Sequence, residues 1–365
     1  MQRKKAYFCL SLTNKTDVMN KPFLFLSLVA LAGFFVSCST KVDLYADYKD
    51  VPVIYGLIDV TQDTNYVKIV RAFSGSDEAS VDATQVALIA DSSNYPGKLN
   101  ARIIEYKSNV SNQYEPTGRE IILDTMTIHD KEFGTFYAPD QKVYYTTESF
   151  KMNTGSTKYK YKLFVETPHD TVTSETSIVG GNDFRITTRR VTFSPTAGDK
   201  TSKISFMAAD NAAVYEIKMV FNYKERQKPL PSSDTVSFVD KQVSWSYGPI
   251  HIDDMENEGN GVYSIKYFQV TLFNMLSSAI GADTLNMERR IGDFEVHIAA
   301  GGNELYNFIQ INSPSAGFSQ TVPDYTNING GYGVFSSRIN LKEKLELMSM
   351  TQTDLINMNW GFLQR

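Results

Sequence analysis

The chain has 365 residues, with 36 Lys and Arg against 41 Asp and Glu and a formal net charge of −5. No basic block interrupts this acidic balance, which excludes the phosphate-neutralising footprint that nucleic-acid binding requires. With 42% apolar residues, 21 Tyr and 22 Phe, the chain has the side chains to build real cores and is not a disordered stalk.

The first element is FLFLSLVALAGFFV (23–36), fourteen residues without a charge. A membrane-spanning helix needs about 20 residues, so this run is short for one. Arg3, Lys4, Lys5, Lys15 and Lys21 precede it and Ser37 and Ser39 flank its end, the basic, apolar, small order of a secretory signal. MNKPFLFLSLVAL, from Met19, is a more compact signal by itself, which makes Met19 an alternative start. The run closes on Val36-Ser37-Cys38, similar to the lipobox of bacterial lipoproteins in the loose form tolerated in Bacteroidota, with Phe35 where the motif usually has Leu. In that reading residues 1–37 are a signal peptide, the Cys38 thiol takes a diacylglyceryl group, and Cys38 becomes the first mature residue. Each acyl methylene buried in lipid contributes about 0.8 kcal/mol, so two or more chains anchor stably where one does not. Cys9 leaves with the signal, and the mature chain keeps no thiol for an intrachain disulfide or a Cys-ligated metal. Loss of five Lys/Arg and one Asp brings the mature charge to −9.

Residues 38–50 read as a short lipidated tether. VPVIYGLIDV (51–60), the polar break TQDTN and YVKIVRAF (66–73) then predict two strands around a tight connection. DATQVALIADSSNYPG predicts one short helix; LNARIIEY, REIILDTMTI and KVYYTTESF predict further strands. In KYKYKLFVE, Tyr159, Tyr161, Leu163 and Val165 alternate with Lys158, Lys160 and Lys162, the period of a half-buried strand. Several short strands at this spacing predict a mainly β fold that opens with an Ig-like or fibronectin-like β-sandwich over 51–178.

TSIVGGNDF places a domain boundary at Gly180 and Gly181, followed by a second β-rich domain with a few helices over 182–365. In AVYEIKMVFNYKE, Tyr215, Ile217, Met219, Phe221 and Tyr223 share one face, and SWSYG continues the alternation with Trp245 and Tyr247. YFQVTLFNMLSSAIG changes period: Phe268, Leu272, Met275, Leu276 and Ala279 fall at helical spacing. A strand GDFEVHIAA, a helix NELYNFIQI and a glycine-rich turn NINGGYGVFSS complete the chain.

Reactive constellations are scarce. His129, His169, His251 and His297 are isolated, with no paired-His spacing, and His297 belongs with Glu295 to the polar face of a strand. Asp254, Glu256, Glu258 and Gly259 imitate the first half of a calcium loop, but position twelve is Ile265 where a bidentate Glu is required, which favours a solvated acidic loop. AGDKTS, with Gly198, Lys200 and Thr201, lacks the first glycine of a phosphate loop. NGGYGVFSS is explained by turn glycines, and no G-x-S-x-G elbow is present. The aromatic content suits sugar stacking, but core strands are aromatic as well, and packing is the simpler reading. No cofactor is expected.

The lipobox, VPVIYGLIDVTQDTNYVKIVRAF, AVYEIKMVFNYKE and YTNINGGYGVFSSR, in that order, resemble a family of Bacteroidota outer-membrane lipoproteins described as a domain of unknown function. The resemblance runs from about residue 51 to the C-terminus. It implies a surface or periplasmic lipoprotein, sometimes associated with TonB-dependent uptake systems, with no catalytic residues to carry over. The expected function is therefore a non-catalytic binding or accessory component of the outer membrane, held by its lipid and partnered by a transporter or other envelope protein. Two other classes stand beside it: an adhesive, fimbria-like subunit, and a glycan- or peptide-cleaving hydrolase whose carboxylates come from separate strands.

Overall fold

A computed structural model describes residues 51–72, 88–129, 132, 140–228, 237–280, 286–312 and 325–363. The signal, Cys38 and the tether lie outside them, as do most of the residues preceding the short helix in DATQVALIADSSNYPG.

The fold is mainly β, as the alternating patterns predict. In chain order the elements are β1 (Pro52–Asp59), β2 (Asn65–Arg71), α1 (Ala90–Ser93), β3 (Asn100–Ser108), β4 (Tyr114–Ile122), β5 (Asp124–Ile128), β6 (Gln141–Thr146), β7 (Tyr159–Glu166) and β8 (Thr171–Ser177). Then come the two-residue strands β9 (Arg185–Ile186) and β10 (Arg190–Val191), β11 (Thr201–Met207), β12 (Val214–Gln227), β13 (Val239–His251), β14 (Glu256–Gly259) and β15 (Val262–Phe268). The chain continues through α2 (Gln269–Ile280), β16 (Met287–Gly301), α3 (Asn303–Asn312), β17 (Tyr332–Leu347) and α4 (Ser349–Asn357).

The strands form three sheets. The largest runs β13-β12-β16-β17-β1-β2-β6-β5, with β10 added beside the end of β17; two four-stranded sheets run β14-β15-β11-β9 and β4-β3-β7-β8. Two cores lie against the large sheet. The first gathers Ile54 and Ile58 of β1, Val67 and Ile69 of β2 and Tyr144 of β6 against Ala101 and Ile103 of β3 and Tyr161, Leu163 and Val165 of β7, so two sheet faces enclose it. The second gathers the inward row of β12, Tyr215, Ile217, Met219, Phe221 and Tyr223, with Phe294, Val296 and Ile298 of β16; opposite them lie Ile204 and Phe206 of β11, Ile265 and Tyr267 of β15, and helix residues Leu272, Phe273, Leu276 and Leu355.

The two cores part between Ile178 and Val179, next to the expected boundary at Gly180 and Gly181, while the large sheet runs on across it. β17 is the strand that joins them. It pairs in parallel with β1 from Tyr332 to Arg338 and antiparallel with β16 from Arg338 to Leu345, and its Phe335 sits in the first core while Ile339 and Leu345 sit in the second. Asp47–Arg365 accordingly forms one compact unit.

Two expectations need correction. REIILDTMTI is two strands: at the buried Leu123 the chain leaves the small sheet as β4 and enters the large one as β5. In α2 the buried stripe is Leu272, Phe273, Leu276 and Ile280, whereas Phe268 and Met275 are exposed. Phe268 is the last residue of β15, so the helix starts later and its face is turned by about one residue step from the expected one.

Candidate functional site

A sheet strand directs alternate side chains to opposite faces, and on the large sheet only one face is taken by the cores. The other face has two characters. On β12, β16 and β17 it is charged: Glu295, His297, Lys342 and Lys344 stand there, with Nζ of Lys342 3.0 Å and Nε2 of His297 3.1 Å from Glu295 Oε2. Burial pushes the Glu295 carboxyl up, but the hydrogen bonds from His297 and Lys342 outweigh it and hold the group below its ordinary value. This cluster is internally neutralised.

On β17, β1, β2, β6 and β5 the same face is aromatic and apolar. Ile54 and Ile58 point into the core, so Tyr55 points out; Val67 and Ile69 point in, so Tyr66 points out. Tyr144 is inward and Tyr145 outward, and Phe335 is inward and Tyr332 outward. Tyr55, Tyr66 and Tyr332 are 42%, 46% and 48% exposed, and Met126 of β5, opposite the outward Val143, is 40% exposed.

The register makes these tyrosines a line. Tyr332 lies opposite Val53, two residues before Tyr55 on β1. Tyr55 lies opposite Lys68, two residues after Tyr66 on β2, and Tyr66 lies directly opposite Tyr145 on β6. Tyr332, Tyr55, Tyr66 and Tyr145 therefore cross four consecutive strands on a diagonal. With strands about 4.8 Å apart and a rise of about 3.3 Å per residue, the line is about 20 Å long. Beside the line Phe308 of α3 meets Tyr55, its second member, edge-on, ring centroids 5.9 Å apart. At the Tyr145 end, Asp124 lies opposite Tyr145 and is held by Lys98 Nζ at 2.8 Å. The hydrogen bond from Lys98, with that of the Thr125 backbone N–H, keeps the Asp124 carboxyl below its ordinary value.

The sequence carries a signal for this face beyond strand propensity. In VPVIYGL both alternating sets are apolar or aromatic, a pattern that belongs to a strand covered on both faces. Here the second face is covered only in part: among the described residues Val334, Ser336 and Val143 are buried on it, with Glu304 and Phe308 of α3 against Ser336 and Tyr55, while Tyr55, Tyr66 and Tyr332 are exposed.

The residues weighed on sequence grounds are scattered. His129 is exposed, its Nδ1 2.8 Å from Asp140. His169 is exposed in the turn between β7 and β8. His251 ends β13, accepts from the Asp253 backbone N–H at 3.3 Å and packs on Tyr306 with ring centroids 4.4 Å apart. His297 stands on the polar face of β16 with Glu295, as its alternation predicts. The acidic segment from Asp254 is an edge hairpin: Glu256 binds Lys203 at 2.7 Å and Lys266 at 3.0 Å, Glu258 binds Lys203 at 3.2 Å, and Ile265 is core. Gly198 is a positive-φ turn residue before β11, and Gly330 and Gly333 have positive φ at the start of β17. Cys38 lies outside the described residues.

One buried carboxylate escaped sequence reasoning. Glu105 of β3 is fully buried and receives Tyr161 Oη at 2.8 Å, Thr117 Oγ1 at 3.0 Å and Arg119 Nη1 at 3.1 Å. A bulge delivers the last two: Ile104 pairs with Glu120 and Tyr106 with Pro116, so Thr117, Gly118 and Arg119 loop out opposite Glu105 alone. Burial drives the carboxyl up, yet these bonds and the Lys151 charge hold it below its ordinary value, while burial pushes the Tyr161 phenol up. Every strong acceptor direction of Glu105 is engaged within the fold, which suits a clamp.

Among the described residues no group of three or more His, Cys, Asp or Glu is placed to hold a metal ion, and no helix is long and apolar enough to cross a membrane. No protein-family model matches the chain, and no curated protein matches it by sequence.

Proposed function

We propose that this protein is a lipid-anchored component of the bacterial outer-membrane envelope that works by binding, with the tyrosine face of the large sheet as its binding surface. The anchor is Cys38, and the proposed relatives are the Bacteroidota lipoproteins of unknown function that the chain resembles. Its first body, over 51–178, is in this reading an Ig-like or fibronectin-like sandwich whose second sheet borrows β17.

The observation that carries the reading is the row of exposed tyrosines, Tyr332, Tyr55 and Tyr66, on one sheet face. Singly exposed apolar residues are ordinary, but a contiguous exposed patch on a rigid sheet marks an interaction site. Tethering by lipid would confine this surface to one membrane and raise its effective concentration toward neighbours, so that weak contacts suffice. The proposed neighbour is a transporter or other envelope protein. No chemistry of the chain's own enters the proposal.

Cross-linked recovery from intact cells tests it, comparing the native chain with Cys38→Ala. The native chain is expected to be acylated at residue 38, to fractionate with the outer membrane and to retain a specific envelope protein; the variant is expected to lose all three. Identical fractionation of the two forms, or turnover of a glycan or peptide by the purified protein with no envelope protein retained, would overturn the reading.

A further inference from the structure

We infer that the tyrosine line is a binding site for an uncharged, linear glycan, a ligand class that rests on the binding role proposed above. Four observations carry it. The aromatic groups are arranged as a line across β17, β1, β2 and β6 and not as a cluster, so they match an extended ligand. A pyranose chain presents apolar C–H faces, suited to the electron-rich faces of aromatic rings, and a rim of hydroxyls, suited to phenolic oxygens.

The second observation is charge. Opposite Tyr55 lies Lys68, and beyond Tyr145 lies Asp124, already neutralised by Lys98. An acidic chain whose line is flanked by a single lysine and a closed ion pair is unsuited to a polyanionic ligand. The third is area. A fully buried tyrosine covers about 150–250 Å², so three rings that are somewhat under half exposed offer about 300 Å². A stable protein interface takes about 800 Å² from each partner. The line alone therefore falls short of a protein interface, which would have to take in more of the sheet face around it, and is large enough for several consecutive sugar rings over its length of about 20 Å. The fourth is rigidity: the tyrosines stand on paired strands above a packed core, with Phe308 edge-on to Tyr55, so little ordering opposes binding.

Titration of the full lipidated chain in detergent with neutral hexasaccharides of glucose, mannose and xylose, and with polygalacturonate as the anionic control, tests the inference by intrinsic fluorescence and calorimetry. At least one neutral hexasaccharide is expected to bind, more tightly than its disaccharide. Tyr55→Ala and Tyr66→Ala should each weaken binding about tenfold, and Tyr66→Trp should restore it. Circular dichroism should be unchanged, because these side chains are exposed. Binding that is unaltered in the triple Ala variant of Tyr55, Tyr66 and Tyr332, binding of polygalacturonate alone, or no binding by any neutral glycan would overturn it. Cross-linked recovery of an envelope protein that persists in that triple variant would separate this failure from failure of the broader binding role.

Discussion

At the scale of single residues, Glu105 shows how a charge is held in a β core. Its stabilising contribution is tied to ionisation, and its carboxyl titrates below the ordinary value in the folded chain. That contribution is complete above the unfolded carboxyl range and is lost as pH falls through the folded value. Glu105→Gln is expected to cost on the order of 3 kcal/mol at pH 7, as removal of one partner of a buried pair does. The gap from the parent should begin to narrow below about pH 4.5, where the carboxylate of the unfolded chain takes up its proton, and should close as pH falls through the lower folded value. Urea unfolding at pH 7 and pH 4 checks this; a gap that is constant with pH would show that the charge is not the stabilising feature. Gly333 makes a second residue-scale case. Its φ is +108°, and a Cβ there would lie 2.0 Å from the Ile54 carbonyl oxygen, because β1 passes directly beside it. Gly333→Ala should therefore lose about 2–4 kcal/mol, measured by the same unfolding.

At the scale of elements, the sequence made most strands legible and little of their partnership. KYKYKLFVE and AVYEIKMVFNYKE announced β7 and β12 because one face of each is buried by a core and the other is wet, so residue chemistry records the side. REIILDTMTI misled because Leu123, where the chain changes sheets, is buried like its neighbours, and periodicity does not register a change of partner. The helical face of α2 was misplaced for a related reason: the apolar Phe268 closes β15 and looks like a first helical turn. The tyrosine line was hidden because it needs the register of four strands, two of them more than 250 residues apart in sequence. Thermal unfolding of two α2 variants tests the corrected helix face. Leu272→Ala should cost about 2–5 kcal/mol through the cavity it leaves, and Met275→Ala should stay within about 0.5 kcal/mol, as exposed positions do. Equal losses would put Met275 back on the buried side.

At the scale of the whole molecule, β17 ties the two cores into one compact unit. It completes the first core with Phe335, continues into the second with Ile339 and Leu345, and is the sole described neighbour of β1 on that side. A fragment of residues 51–178 would expose the edge of β1 and the pocket that Phe335 fills. It is expected to remain unfolded or to aggregate through that edge, as monitored by circular dichroism and size-exclusion chromatography; a soluble, cooperatively unfolding fragment would contradict the dependence on β17. The same sheet that couples the cores also carries the exposed Tyr332, Tyr55 and Tyr66 on its other face, so architecture and proposed activity share one element. Hydroxyl-radical footprinting of tyrosines, on intact cells and on the purified protein, tests the central claim most directly. If the sheet face is the binding surface, Tyr55, Tyr66 and Tyr332 are oxidised readily in the purified protein and protected in the envelope. Equal oxidation of all three in both states, with protection confined to another surface, would contradict the account.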